Sequence, residues 1–124
     1  MPAGRYSFTI EQGATFSRTI TYRNSAGVAV DLTGYSARMK VKSADLATTI
    51  LDLVNTGATG SQINAITLGG AAGTVTLALT PAQTAALAAT TDFDLVYDLE
   101  IVSAGGVVTR LLEGRVKVAR EVTV

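Results

Sequence analysis

One pattern constrains this chain more than any other. In Phe93-Asp94-Leu95-Val96-Tyr97-Asp98-Leu99-Glu100-Ile101, every odd position is apolar and three of the four even positions are acidic. Side chains leave a β-strand on alternate sides, so the run predicts a half-buried strand with its odd positions inward. The pattern recurs where Val75, Leu77 and Leu79 alternate with Thr74, Thr76 and the small Ala78. Tyr35, Ala37, Met39 and Val41 alternate in the same way with Ser36, Arg38, Lys40 and Lys42. Nearer the start, Tyr6, Phe8 and Ile10 share a face, and Phe16, Ile20 and Tyr22 follow the Gln12-Gly13 break. β-Branched and aromatic residues fill these runs, as a pleated, half-buried surface prefers.

Turn signals separate the runs: Asn24-Ser25-Ala26-Gly27, Thr33-Gly34, Asn55-Thr56-Gly57, the Gly-rich Gly69 to Gly73, and Ser103-Ala104-Gly105-Gly106. Between Ser43 and Ser61, Ala44-Asp45 turns the chain and Ile50 to Val54 returns as a strand. Short strands at this spacing indicate an all-β, antiparallel sandwich or barrel. One helix interrupts the β pattern. Thr80 can cap it, Pro81 suits its first position and Gln83 completes a capping box, which predicts one short helix near residues 81–88. Without repeats or linkers, residues 1–124 read as a single β-sandwich domain, long enough to bury a core without metals or disulfides.

Composition narrows the function. The chain has no His, Cys or Trp, so it offers no Ser-His-Asp triad, thiol nucleophile or typical zinc site. Its 10 basic and 10 acidic residues balance, which argues against nucleic acid as a partner. No apolar run approaches the roughly 20 residues of a membrane span, and no apolar signal segment precedes Tyr6. A charged content of 16% with a mean hydropathy of +0.35 predicts apolar surface that a partner covers, as in an assembly subunit.

The charged residues that remain form stripes. Asp94, Asp98 and Glu100 share one strand face, with Asp98 and Glu100 roughly 6–7 Å apart along the backbone. That spacing suits a glycosidase carboxylate pair, but no aromatic platform accompanies it, and a solvated strand face is the plainer reading. As a calcium site the row lacks the curved loop that gathers oxygens. Arg38, Lys40 and Lys42 form a basic stripe on another strand. It can pair laterally with the acidic stripe, or meet another subunit as a candidate interface; it lacks the interleaved aromatics of a nucleic-acid groove. The glycines from Gly69 to Gly73 lack the Lys-Ser/Thr of a phosphate loop and read as a hairpin turn. Arg18 and Arg110 fall on faces that alternation makes apolar. A bulge, for Arg110 near Gly114, or a snorkelling edge position accounts for them better than a buried functional arginine.

A resemblance joins these pieces. Tyr6-Ser7-Phe8-Thr9-Ile10-Glu11-Gln12-Gly13-Ala14-Thr15-Phe16, then Val30-Asp31-Leu32-Thr33-Gly34-Tyr35 and Ala37-Arg38-Met39, resembles a family of small tailed-bacteriophage virion structural proteins. The stretch is similar to the N-terminal domain of the phage baseplate upper protein. Leu79-Thr80-Pro81, Tyr97-Asp98-Leu99-Glu100 and Arg110-Leu111-Leu112-Glu113-Gly114-Arg115-Val116 extend the likeness over essentially the whole chain. The resemblance implies an immunoglobulin-like sandwich that assembles by protein–protein contact, as a decoration or accessory module of head, tail or baseplate. It implies location in the virion after synthesis in the bacterial cytoplasm. The implied partners are other virion proteins and symmetry copies, with no catalytic residues, cofactor, metal, membrane or small-molecule substrate. Set against the baseplate protein, a chain ending at Val124 is expected to lack the long C-terminal part that would contact receptor-binding proteins, which leaves decoration of the head, or of the tail or its fibres, open. Two other readings stay open: a carbohydrate- or cell-surface-binding module of a tail fibre or adhesin, and a small hydrolase using Asp98 and Glu100.

Overall fold

The alternating runs fold into two β-sheets around one apolar core, in a computed structural model that describes residues 4–122. In chain order the strands are β1 (Gly4–Arg5), β2 (Phe8–Glu11), β3 (Phe16–Thr21), β4 (Ser36–Ser43), β5 (Thr49–Val54), β6 (Ile63–Asn64), β7 (Ile66–Leu68), β8 (Thr74–Leu79), β9 (Leu95–Val102) and β10 (Val108–Ala119). A helix, α1 (Pro81–Ala85), joins β8 to β9. The larger sheet runs β1-β10-β9-β4-β5-β6, with β2 also on β10, and the smaller runs β3-β8-β7.

The larger sheet is mixed, which corrects the purely antiparallel expectation. β1 and β2 lie parallel to β10, and β6 lies parallel to β5; the other pairings are antiparallel. None of the three parallel pairs is a hairpin. The chain leaves β2 for the smaller sheet at once, so the N-terminal strand takes its partner from the far end of the sequence.

Alternation placed the core correctly. Phe8, Met39, Val75, Leu77, Leu95, Tyr97, Leu99 and Ile101 are all buried, with Leu99 and Ile101 at 0% exposure. The pattern runs past the strand at one end: β9 begins at Leu95, and Phe93 is exposed. A turn at Asp92, whose carboxylate accepts from the Phe93 N–H, takes Phe93 out of register.

The helix is shorter than expected, Pro81–Ala85 rather than 81–88. Its capping box forms, with Thr80 Oγ1 accepting from the Gln83 N–H and Gln83 Oε1 accepting from the Thr80 N–H. It stops because Leu87 is drawn into the core and its carbonyl accepts from Gln12 Nε2, while Thr90 joins Val118 through two hydrogen bonds. The Gly69–Gly73 stretch turns the β7–β8 hairpin, as expected.

Both misplaced arginines have a structural account. A register shift between Arg110 and Leu112 leaves Leu111 as the extra residue, so Arg110 faces outward. The bulge lies three positions before Gly114, where it was expected. Arg18 stays on the inner side of β3, an edge strand. There its guanidinium lies 4.9 Å over the Phe16 ring and donates to the Ser17 carbonyl.

Titrating groups set the limits of stability. Asp31 accepts from the Thr33 hydroxyl and N–H, and Asp45 from the Ser43 hydroxyl and the Ala47 N–H. Those bonds hold both carboxyls below the ordinary 3.8. A lowered carboxyl stabilises the fold above its unfolded pKa, and that contribution is lost as pH falls through the folded value. The Tyr97 phenol is pushed above its ordinary 10.0, mainly by burial and further by Tyr6. Its contribution is present below the unfolded pKa and lost as pH rises through the folded one. Stability is therefore expected to be flat from about pH 6 to 8, with an acid edge below about pH 4 and an alkaline edge above about pH 10. Denaturant midpoints measured across this range check it. A transition near neutrality would contradict the assignment, and Tyr97→Phe should remove the alkaline edge.

Candidate interaction surface

The two sheets present chemically opposite outer faces. On the smaller sheet, Thr19 pairs with Thr76, Thr21 with Thr74 and Ser17 with Ala78, a face without charge. Thr19 and Thr76 share a hydrogen bond of 3.1 Å between their hydroxyls. On the larger sheet, the strand order β5-β4-β9-β10 brings charged residues into rows. Register places Arg38 beside Glu100 and Glu100 beside Arg110. One row further on, Asp52, Lys40, Asp98 and Glu113 follow one another across the strands.

The expected lateral pairing of the basic and acidic stripes forms in part. Arg38 Nε lies 2.8 Å from Glu100 Oε1. Lys40 turns instead to Asp52, with Nζ 3.8 Å from Oδ2, and Asp98 is taken by Arg110 at 3.5 Å. Asp94 precedes β9 and does not join the row. Lys42 stands opposite Val96 and makes no ion pair among the described residues. The three predicted interface residues are thus brought to one face but not to one role: two are engaged within the chain and one is free.

Partnered charges of this kind contribute little individually. The Arg38 and Lys40 side chains are about half exposed, so solvent screens them. Arg38→Ala is expected to lower folding stability by about 0.2–1 kcal/mol, and Lys42→Ala by less than about 0.5 kcal/mol. Thermal or urea unfolding of the two variants separates the paired cation from the unpaired one. Equal losses would mean that the Arg38–Glu100 pair contributes nothing.

The glycosidase-like carboxylates are drawn apart in function by the same pairings, since Glu100 faces Arg38 and Asp98 faces Arg110. Among the described residues, no group of three or more His, Cys, Asp or Glu is placed to hold a metal ion. No described helix is long and apolar enough to cross a membrane. Sequence reasoning missed Asp52 and Arg110 as partners of the stripes. The signal for Asp52 is present in the sequence, because Ile50 to Val54 reads as a strand, but its register against β4 is not.

Comparison with models of known protein families and with curated proteins finds no match.

Proposed function

We propose that this chain is a non-enzymatic structural module of a bacteriophage virion, built as an immunoglobulin-like sandwich. It would assemble by contacts with other virion proteins and with symmetry copies, as a decoration or accessory element of head, tail or baseplate. One observation carries the reading: the outer face of the larger sheet gathers the charges into ordered rows, while the outer face of the smaller sheet has none. A protein with no surface task has no need to sort its charges in this way. Sorted faces suit a subunit that meets different neighbours on different sides. The residue inventory agrees, since a chain without His or Cys lacks the usual nucleophiles, bases and soft metal ligands.

Mass spectrometry and immunogold labelling of purified phage particles from cells producing the chain test the proposal. The chain is expected in intact particles at fixed stoichiometry. A chain that stays in the particle-free lysate would refute it, and selective binding on a glycan array would then favour the carbohydrate-module reading.

A further inference from the structure

The rows of outward charge on the larger sheet leave a gap at Val96, between two cations. Along β9 the outward side chains are Val96, Asp98, Glu100 and Val102, and Asp98 and Glu100 each meet a cation from a neighbouring strand. Val96 occupies the place where a third carboxylate would continue the series. On one side it faces Lys42 of β4, and on the other Arg115 of β10. Both are cations, and neither has a carboxylate within ion-pair distance among the described residues. The Arg115 guanidinium donates to the Phe93 carbonyl, at 3.3 Å. With strands about 4.7–4.9 Å apart, the two cations stand on backbones roughly 9–10 Å apart.

The surface is recessed here. A depression of about 330 Å³ lies on the Lys42 side, walled by the exposed Leu46, and one of about 370 Å³ lies on the Arg115 side. Val96, Tyr97 and Glu113 line both, so the two adjoin as one shallow trough over Val96, with Lys40 and Lys42 on one flank and Arg5 and Arg115 on the other. Leu46 holds a left-handed backbone, φ 63°, at the tip of the β4–β5 turn, which a β-carbon makes unfavourable. Among the described residues, the only carboxylate within the trough that lacks an ion pair is Glu113.

We infer that this trough, centred on Val96 between Lys42 and Arg115, receives an extended acidic segment of another protein chain. An apolar residue of that segment would sit on Val96, and its carboxylates would supply the negative charge that β9 omits. The inference rests on the assembly role proposed above and names the site and partner chemistry for it. It moves the contact away from Arg38 and Lys40, whose charges are already engaged, to Lys42 and Arg115. Charge complementarity selects the partner: a basic segment would meet two unpaired cations, and a purely apolar one would strip them of water without replacing it.

The test uses the purified, isotope-labelled chain and a capped pentapeptide alternating glutamate with valine, followed by amide chemical shifts at low and high salt. Saturable shifts are expected at Lys42, Val96 and Arg115, weakening as salt screens the charges. The double variant Lys42→Gln, Arg115→Gln should weaken the peptide by about tenfold or more. Glu113→Gln, which removes the competing carboxylate, should tighten it, whereas Arg38→Gln should leave it unchanged. Matching melting curves confirm that the variants fold. Absent or scattered shifts, equal binding of the lysine-for-glutamate peptide, or a Glu113→Gln variant that binds more weakly would each overturn the inference. Concentration-dependent shifts at the same residues without peptide would overturn the choice of another chain in favour of a second copy. Peptide binding by a chain missing from particles would refute the virion reading alone. Particle incorporation without peptide binding would refute the trough alone.

Discussion

Truncating Leu99 to alanine is expected to cost about 2–5 kcal/mol of folding stability. Leu99 is at 0% exposure in the middle of β9, with Met39 of β4 on one side and Leu112 of β10 on the other. Its removal leaves a void among side chains that belong to three strands. Those strands cannot close in without breaking their own ladders, so the cavity remains. Urea unfolding should show a lower midpoint with an unchanged slope, the signature of lost stability rather than a changed unfolded state. A loss under about half a kilocalorie per mole would mean that the inward face of β9 had been misassigned.

Gly114→Ala is expected to do comparable damage by the opposite route. A β-carbon at Gly114 would run into the main-chain carbonyl of Tyr6 and press on the Tyr97 ring. The glycine is required here for space, because the N-terminal strand passes directly over it between β1 and β2. The same Tyr6 carbonyl accepts the hydrogen bond of the Tyr97 hydroxyl, and the Tyr6 N–H donates to the main-chain carbonyl of Glu113. Moving Tyr6 aside therefore breaks a buried latch as well as crowding the sheet. Overpacking and an unsatisfied buried polar group together should cost about 2–5 kcal/mol. Hydrogen exchange would locate the loss, with protection falling first at residues 8–11. An alanine variant with normal stability and normal protection there would show that the strand does not need the glycine.

What could be read from the sequence follows from the range over which each signal acts. Period two is local, so the inward faces around Leu99, Leu77 and Met39 were legible before any contact was known. The same signal says nothing about which strand lies beside which, or in what direction. The parallel seat of Phe8 and Ile10 against Val116 and Val118 was for that reason invisible. Ile63–Asn64 and Ile66–Leu68 are too short to show a period at all. The bulge in β10 announced itself through Arg110, whose polarity conflicted with its face, but parity cannot say which of the next few residues is the extra one. At the candidate surface the basic stripe was legible and its partners were only half so. Pairing depends on register, and Asp52 and Arg110 enter from strands whose offset no local pattern records. The break at Val96 has meaning only once Lys42 and Arg115 are known to flank it.

The parallel N-terminal strand also sets the order in which this protein can mature on a ribosome. Arg115 donates its N–H to the Ser7 hydroxyl across 108 positions of sequence. Nearly everything in the smaller sheet, and the β4–β5 hairpin, can form while the chain is still being made. The first strand cannot, because β10, the edge it needs, is made after all the other described strands. Until β10 emerges, Phe8 and Ile10 lack their place in the core and form an exposed, strand-prone apolar segment. Closing so long a loop is slow, and such segments are open to capture by neighbours in the interval. Once β10 has emerged, the hydrogen bond from Tyr97 to the Tyr6 carbonyl, close against Gly114, ties the chain's own N-terminal strand into that place.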